Sequence, residues 1–336
     1  MKEYLNHLGD DQNKKVYFTG FMINKLIKCY LGLSPYDDRD SYINKRFETP
    51  GYLLGNLTYQ CMHKITKDIK NFITKEVNSG LWNLNNQPDD IVNDINIHKL
   101  IKSSYIENIL KGAMATGNWG MKVNASKQGV SQVLNRLTYP STISHLRRVQ
   151  TPSDNTGKLI PPRKLHGTSW GYVCPTETPE GQAVGIVKNL SLNSEITVYS
   201  SSEPIRHYIK DFIIPFDKFN NYDTNKLEYC KVIINGDWIG FTKEPIDILN
   251  KLKDGRKSGI INIYTSLSWD QQNYIINIYT DAGRPIRPLL VVENEKVLFN
   301  QNINERLKTN KCNWYNLVSF IKTKENYCIQ YIDPHE

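Results

Sequence analysis

The sequence predicts an α+β protein of several subdomains, with a helical N-terminal part, a loop-rich middle and a mixed α/β remainder. Three observations lead to this prediction: apolar residues at helical spacing in the first 112 residues, frequent glycine and proline between Gly117 and Gly185, and alternating strand-like and helical runs after that. The 336 residues, 39% hydrophobic and 23% charged, can bury sizeable cores, which excludes fibrous, coiled-coil and disordered classes.

The N-terminal part is predicted to contain three amphipathic helices, at residues 14–32, 53–77 and about 98–111. Gly32 and Gly112 are predicted to end the first and third helices, because glycine readily adopts the left-handed conformation found at helix C-termini. In the middle, residues 130–137 are expected to form the main short helix. Loops held on a scaffold often carry function, so the middle is where a site is expected.

The remainder is predicted to alternate strands and helices. Ser202 is expected to cap a helix, because it precedes Glu203-Pro204, and Asn235-Gly236 predicts a β-hairpin, because both turn positions tolerate a positive φ. A near-repeat at residues 260–265 and 275–280 is interpreted as two paired strands. The other predicted strands are 183–192, 195–199, 231–234, 238–241 and 289–293, and the predicted helices are 202–213 and 244–255.

Several classes of protein are disfavoured by simple patterns. The most apolar stretch, residues 16–33, is interrupted by Lys25 and Lys28, so no membrane span is expected. The first seven residues lack the apolar core of a secretory signal, which favours an intracellular protein. The six cysteines form no C-x-x-C pair, so free thiols are expected instead of a zinc site or disulfides.

The charge pattern is compatible with a polyanionic partner. The net charge is +8, and a basic cluster at residues 145–148 is followed by Lys158, Arg163, Lys164 and His166 in a segment broken by proline and glycine. Such a segment can present guanidiniums to phosphates, although a charge run is also typical of a solvated face. The residue types alone do not decide between a phosphate-binding segment and a solvated face.

Two other clusters contain residue types that are found in metal or catalytic sites. The carboxylates of Asp37, Asp38 and Asp40 could bind Mg²⁺, but Arg39 and the Lys45-Arg46 pair favour a self-compensating charge network. Cys174 with His166 or His145 could form a thiolate nucleophile. A buried structural thiol is favoured for Cys174, because it precedes Pro175 at a hydrophobic strand end.

Four ordered motifs carry a resemblance to a known family. They are Ala-Thr-Gly-Asn-Trp-Gly at 115–120, Gly-Val-Ser-Gln-Val-Leu-Asn-Arg at 129–136, Ser-His-Leu-Arg-Arg at 144–148 and Cys-Pro-Thr-Glu-Thr-Pro-Glu-Gly-Gln at 174–182. The chain closely resembles the second-largest (β-type) subunit of multisubunit DNA-directed RNA polymerases. The likeness is greatest to the eukaryotic polymerase II type and its relatives in large DNA viruses.

The resemblance implies a division into five parts and a central fragment of the subunit. The hybrid-binding region and the zinc-bearing clamp segment of the family have no counterpart in the sequence, so the chain is expected to be inactive alone. The implied parts are 1–49, the end of the lobe; 50–112, a helical protrusion segment; 113–193, the fork; 194–281, external domain 1; and 282–336, part of external domain 2.

The resemblance also implies a function and partners. In this family, RNA is made by nucleotidyl transfer with Mg²⁺ held mainly by the largest subunit, so no catalytic residue and no bound metal are expected in this chain. The implied partners are the largest and other polymerase subunits, the DNA template, the RNA–DNA hybrid and nucleoside triphosphates, with no membrane. The implied location is the nucleus, or the host cytoplasm or virion if the protein is viral.

Site residues follow from the matched motifs. Residues 121–128 resemble the fork loop along the RNA–DNA hybrid, and residues 153–158 resemble the loop near downstream strand separation. Arg163, Glu180 and Gln182 match positions close to the incoming nucleotide. The residues expected to bind nucleic acid are Gln132, Asn135, His145, Arg147, Arg148, Asp154, Asn155, Thr156, Gly157 and Lys158.

Alternatives remain for these residues and for the whole chain. The site residues could instead form a polar fork interior, with Arg147 and Glu177 in pairs instead of touching substrate. The chain could also be a non-catalytic, polymerase-derived module that only binds nucleic acid or assembles with partner subunits. An unrelated basic nucleic-acid-binding protein would require the four ordered motifs to be coincidental.

Overall fold

The computed structural model describes residues 4–79, 97, 101, 104–120, 127–151, 159–216, 229–318 and 327–336. Its helices and mixed sheets confirm the predicted α+β class. The α-helices are α1 (Gln12–Tyr30), α2 (Pro50–Asn78), α3 (Tyr105–Thr116), α4 (Tyr139–Leu146), α5 (Glu203–Ile209), α6 (Pro245–Lys257), α7 (Gln301–Lys308) and α8 (Trp314–Val318). Within the described ranges, no helix is long and apolar enough to cross a membrane.

Short strands accompany these helices. They are β1 (Arg148–Gln150), β2 (Val187–Asn189), β3 (Glu195–Ile196), β4 (Ile214–Pro215), β5 (Cys230–Ile234), β6 (Asp237–Thr242), β7 (Ser266–Asp270), β8 (Ile275–Tyr279), β9 (Pro285–Leu290), β10 (Val292–Glu293), β11 (Lys296–Val297) and β12 (Ile329–Ile332). Single turns of 3₁₀ helix lie at Asn6–Leu8, Pro161–Arg163, Gly167–Ser169, Gly181–Ala183 and Lys210–Phe212.

The described residues form two compact units. Unit 2 contains the described part of Glu48–Arg148, and unit 1 contains the described residues before and after it. The division of the sequence into five parts remains a prediction.

Unit 1 is organised around a five-stranded sheet with the order β4-β6-β5-β8-β7. β5 and β8 are parallel and the other neighbours are antiparallel. The predicted hairpin is confirmed, since Asn235 and Gly236 have φ of 50° and 82° between β5 and β6. Ile248 and Leu252 of α6 are fully buried in one core cluster with these strands.

A second sheet of unit 1, with the order β12-β9-β3, places the C-terminal residues that the sequence left unassigned. Its core contains Ile286, Ile303, Leu317 and Ile329, which come from β9, α7, α8 and β12. The apolar residues of this segment are spread over short elements, so no long periodic pattern marks them in the sequence.

Only one half of the near-repeat at residues 260–265 and 275–280 forms a strand, so the prediction of two paired strands is wrong. Residues 275–279 form β8, but residues 260–265 form turns, and the antiparallel partner of β8 is β7. Asn262 explains the difference, because its side chain accepts a hydrogen bond from the Tyr264 amide and its carbonyl oxygen accepts one from Thr265. Such an Asx turn competes with strand hydrogen bonding.

Unit 2 packs α2 against α3 through Leu57, Ala113 and Trp119, and the Trp119 indole donates to the Leu53 carbonyl at 2.8 Å. The predictions of α1 and α2 are confirmed within a few residues. Gly112 was wrongly predicted as a helix end: it lies inside α3, which ends at Gly117 with a φ of 72°.

The helix predicted at residues 130–137 is also wrong, because that segment has no regular secondary structure. A helix begins instead at Tyr139, where Thr138 and Ser141 form a reciprocal capping box and a proline occupies the first turn. The cap residues, and not the apolar spacing before them, determine where this helix starts.

Three elements predicted between residues 183 and 213 are shorter than expected. The strands predicted at 183–192 and 195–199 are reduced to Val187–Asn189 and Glu195–Ile196, and the helix after Ser202 becomes 3₁₀ beyond Ile209. Ser202 is at the N-cap but its side chain makes no cap hydrogen bond; the Glu203 amide donates to Ser201 Oγ.

A buried ion pair connects separate segments of unit 1. Arg284 Nη1 lies 2.9 Å from Asp333 Oδ2, and the two side chains are 2% and 0% exposed. Arg284 also donates to the carbonyls of Tyr264 and Asp281, while Asp333 accepts from Ser266 Oγ. Both charges are therefore satisfied by several hydrogen bonds.

We expect Arg284→Met to lower the free energy of unfolding by about 3–5 kcal/mol, because it leaves a buried carboxylate without its cation. Urea denaturation would measure the change. The control is Lys25→Met, which removes an ion pair with Asp37 whose side chains are 56% and 72% exposed and is expected to change stability by less than about 1 kcal/mol. Equal effects of the two substitutions would contradict the prediction.

His335 lies beside this ion pair. Its ring stacks on Tyr279 with centroids 4.3 Å apart, and its Nε2 is 3.3 Å from Arg46 Nη2. Burial lowers the pKa of His335 below the ordinary 6.5, with Arg46 and Arg284 lowering it further against the opposing effect of Asp333 and Asp281. The folded protein therefore favours the neutral imidazole.

We expect stability to fall as the pH drops below about 6.5, because the unfolded chain then takes up a proton that folded His335 resists. The His335→Gln variant should lose less stability between pH 7.5 and 5.5 than the wild type in urea denaturation. The exposed His207→Gln variant of α5 should keep the wild-type pH dependence. An unchanged pH dependence in His335→Gln would contradict the assignment.

Candidate nucleic-acid and nucleotide site

The predicted nucleotide-proximal residues come together in unit 1. Arg163 ends one 3₁₀ turn, and Glu180 and Gln182 flank the start of another. Arg163 Nη1 donates to the carbonyl oxygens of Gln182 at 2.5 Å and Val184 at 2.9 Å. Arg163 and Gln182, which are nineteen positions apart in the sequence, are thus joined directly. Arg163 is half-buried, whereas the side chains of Glu180 and Gln182 are exposed.

Gly185 permits this close approach. It has a φ of 70°, and a Cβ atom built there would overlap the backbone of Arg163. Thr178 supports the same turn, since its Oγ1 accepts from the Gly185 amide and donates to the Val187 carbonyl, each at 2.9 Å. The turn around Gly185 therefore positions the guanidinium of Arg163.

Lys188 is a further supporting residue that the sequence interpretation did not select. Its Nζ donates to the Pro162 carbonyl at 3.3 Å and lies 5.8 Å from the centre of the Tyr42 ring. Burial lowers the pKa of Lys188, and nearby Lys45 lowers it further. The sequence does contain a signal that could have identified Lys188: it lies in the apolar, strand-like run at residues 183–192. A cation that is buried in such a run needs hydrogen-bond acceptors in the fold.

Three of the predicted nucleic-acid contacts bind one another in unit 2. His145 Nδ1 accepts from the Asn135 amide at 3.1 Å, so Nε2 carries the proton of the neutral ring and donates to Gln132 Oε1 at 2.9 Å. Gln132 Nε2 in turn donates to the Gly129 carbonyl. Gln132 is nevertheless exposed, and Asn135 and His145 are half-buried, so the polar interior and the contact with nucleic acid both remain predictions.

The other predicted nucleic-acid residues are less fully described. Arg148 is exposed at the start of β1, and Arg147 is half-buried at the end of α4. Asp154, Asn155, Thr156, Gly157 and Lys158 lie outside the described residues, as do residues 121–126 of the other predicted loop.

The acidic cluster forms the charge network that the sequence favoured. Asp37 pairs with Lys25 at 3.1 Å and Asp40 pairs with Lys45 at 3.6 Å. Hydrogen bonds from the Asp40 amide, and then from His166, lower the pKa of Asp38. Across the described ranges, no three His, Cys, Asp or Glu side chains lie where they could jointly hold a metal ion.

Cys174 is more exposed than predicted. It is partly exposed, and a hydrogen bond from Thr176 Oγ1, followed by backbone amides, lowers its thiol pKa. The expected burial is therefore wrong. Neither candidate histidine is bonded to the thiol, since His166 binds Asp38 and Thr168 while His145 binds the groups named above. All six cysteines are free thiols, as predicted.

We expect Gly185→Ala to destabilise unit 1 more than Gly181→Ala. Both glycines have a positive φ, but a Cβ at Gly181 meets no atom within 4 Å, whereas one at Gly185 overlaps Arg163. Both substitutions strain the backbone, and the overlap with Arg163 should lower the free energy of unfolding of Gly185→Ala by about 1–3 kcal/mol more. Urea denaturation of both variants would test this, and equal losses would contradict it.

Comparison with known proteins places the chain in one family. Residues 1–48 match the description RNA polymerase Rpb2, domain 2; residues 132–196 match domain 3; and residues 232–293 match domain 4. The DNA-directed RNA polymerase II subunit 2 of Arabidopsis thaliana is 38% identical over 345 residues, which cover 100% of this chain and 27% of that protein.

A viral relative shows the same partial coverage. The DNA-directed RNA polymerase subunit 2 of Acanthamoeba polyphaga mimivirus is 34% identical over 344 residues, covering 98% of this chain and 27% of that protein. The chain thus spans about a quarter of the length of the curated relatives it matches. Matches to three successive domains, and identity along the whole chain, lead to one conclusion: the chain belongs to the family of second-largest RNA polymerase subunits.

Proposed function

We propose that this chain acts within a DNA-directed RNA polymerase, where its residues 113–193 position the RNA–DNA hybrid, the downstream DNA and the incoming nucleoside triphosphate. The observation that carries the proposal is the bond between Arg163 and the 182–184 segment. It holds a guanidinium beside exposed Glu180 and Gln182. A guanidinium suits phosphate oxygens, and a carboxylate and an amide suit the ribose and the orientation of the nucleotide.

The local geometry favours Arg163 as a phosphate ligand. Both hydrogens of Nη1 point at carbonyl oxygens, which fixes the plane of the guanidinium. Carbonyl acceptors are neutral, so these two hydrogen bonds orient the group without adding a compensating charge. A pre-oriented cation spends less entropy on binding a phosphate than a mobile one.

The metal chemistry is assigned to another polypeptide in this proposal. Mg²⁺ would stabilise the charge that develops during nucleotidyl transfer, and the largest subunit would hold it. The partners would be that subunit and other polymerase subunits, together with the DNA template, the RNA–DNA hybrid and nucleoside triphosphates. The location would be the nucleus, or the host cytoplasm or virion for a viral enzyme.

A second candidate is a non-catalytic module that binds nucleic acid or assists assembly. The hydrogen bonds among Gln132, Asn135 and His145 favour it, because they occupy polar atoms that would otherwise be offered to a substrate. This candidate predicts association with polymerase subunits but no effect of Arg163 on nucleotide addition.

We expect Arg163→Ala to slow single-nucleotide addition by about 10- to 150-fold in a polymerase reconstituted with this chain, because one charge-assisted phosphate contact is worth about 1.5–3 kcal/mol. The control is Lys164→Ala, which removes a neighbouring exposed charge and should leave the rate within about twofold. Co-purification of both variants with the largest subunit would verify assembly. Unchanged kinetics in assembled Arg163→Ala enzyme would contradict the proposed role, and wild-type chain that fails to co-purify would contradict the polymerase function itself.

A further inference from the structure

Helix α1 has apolar side chains on two faces, and the described residues cover only one of them. Phe18 and Phe21 pack against the core cluster that contains Trp238 of β6. The opposite face carries a row of residues that we call the stripe: Val16, Gly20, Ile23, Ile27 and Tyr30. Its four apolar side chains are, in that order, 69%, 51%, 50% and 86% exposed. A helix that is apolar on both sides is typically buried on both, so we expect a partner to cover the stripe.

The spacing of the stripe favours a helix as its partner. Its members follow one another at alternating intervals of four and three residues, which is the pattern of the a and d positions in a coiled coil. Gly20 lies inside the stripe, and a Cβ atom built there meets no atom within 4 Å. The gap at Gly20 would let the side chain of a second helix approach the backbone of α1 closely.

A buried ammonium group lies beside the stripe. Lys15 is 4% exposed, and its Nζ has no hydrogen-bond partner among the described residues. Lys15 lines a pocket of about 360 Å³ together with Val16, Thr19 and Tyr4, whose hydroxyl is 3.2 Å from Thr19 Oγ1. A charge that is buried without an opposite charge destabilises a protein, so this site is incomplete until an anion reaches it.

The charge of α1 indicates which kind of helix fits. The helix contains four lysines and no aspartate or glutamate. Lys14 is paired with Asp237 and Lys25 with Asp37, so the chain supplies anions for these two lysines but not for Lys15. A second copy of this chain would bring the same cations against Lys15, whereas an acidic helix would complement it.

We propose that α1 is a docking surface for an acidic amphipathic helix of another polypeptide, which packs its apolar residues along the stripe and places a carboxylate on the Lys15 ammonium. Burial of the apolar side chains supplies the affinity. The ion pair at Lys15 sets the register of the two helices and selects a negatively charged partner. This inference goes beyond the proposed function, because none of these residues belongs to the predicted nucleotide or nucleic-acid site.

Fluorescence anisotropy with the full 336-residue chain tests the proposal. The probe is a labelled three-heptad peptide with leucine at a and d and glutamate at e and g, and a set of companion peptides replaces each glutamate singly with glutamine. One of these replacements should weaken binding to the wild-type chain by about 10-fold or more, because it removes the partner of Lys15. The Lys15→Met variant should bind that peptide and the parent peptide equally.

A matched pair of glycine variants tests the stripe itself. Gly20→Glu in α1 and Gly55→Glu in α2 each add a carboxylate at a helical position where a Cβ meets no atom within 4 Å. Gly20→Glu should weaken binding of the parent peptide by about 10-fold or more, because it places a negative charge in the stripe. Gly55→Glu should change binding by less than about twofold.

Melting curves separate binding from folding. Lys15→Met keeps an unbranched apolar stem and removes the unpaired ammonium, so its melting temperature should equal or exceed that of the wild type. A loss of peptide binding in this variant then reflects the missing charge and not a damaged fold. A lower melting temperature would show that Lys15 already has a compensating partner within the chain, which would overturn the proposal.

Other results would also overturn the proposal. Wild-type chain that does not bind the parent peptide, or that binds every companion peptide as tightly as the parent, would exclude the acidic helix. Binding to anionic lipid vesicles but not to the peptide, with loss in Gly20→Glu, would identify α1 as a membrane-binding surface instead. Self-association in analytical ultracentrifugation that Gly20→Glu abolishes would identify an interface between copies. Each of these outcomes leaves the effect of Arg163 on nucleotide addition as a separate measurement.

Discussion

The fold of unit 1 depends on the burial of one guanidinium. The side chain of Arg284 is 2% exposed, yet its hydrogen bonds reach Asp333 near the C-terminus, the carbonyl of Tyr264 and the carbonyl of Asp281. Its amide and carbonyl also pair with Thr197. A charge placed in a low-dielectric interior must keep its partners, so segments that are far apart in the chain are constrained to meet at this point.

The candidate site uses the opposite arrangement, in which cations stay near the surface and neutral groups orient them. Arg163 is directed by carbonyl oxygens, and Lys188 supports the same turn from a half-buried position through the Pro162 carbonyl. The two carbonyl oxygens add no compensating charge, whereas the ion pair of Arg284 and Asp333 is self-compensated. The surroundings of the two arginines therefore differ: Arg284 is held in a buried ion pair, while the binding role of Arg163 remains a proposal.

The segment from Gly129 to Arg148 shows why polar residue types do not identify contacts by themselves. Gln132, Asn135 and His145 have the chemistry of nucleic-acid ligands, but in unit 2 they bind each other and the backbone. The exposed side chains of this segment include the apolar Val133 and Leu137 and the cationic Arg136 and Arg148.

The sequence alone determined the α+β class, the positions of α1, α2, α6 and the Asn235-Gly236 hairpin, and membership of the polymerase family, because helical spacing, turn residues and ordered motifs are local signals. It placed Arg163, Glu180 and Gln182 in a common site only through resemblance. Tertiary structure decided that β7 and not residues 260–265 pairs with β8, that Gly112 continues a helix, and that His145 faces Gln132. The pairing of β7 with β8 and the bond between His145 and Gln132 depend on partners that no local pattern specifies, whereas Gly112 continues the helix because the left-handed residue that ends it is Gly117.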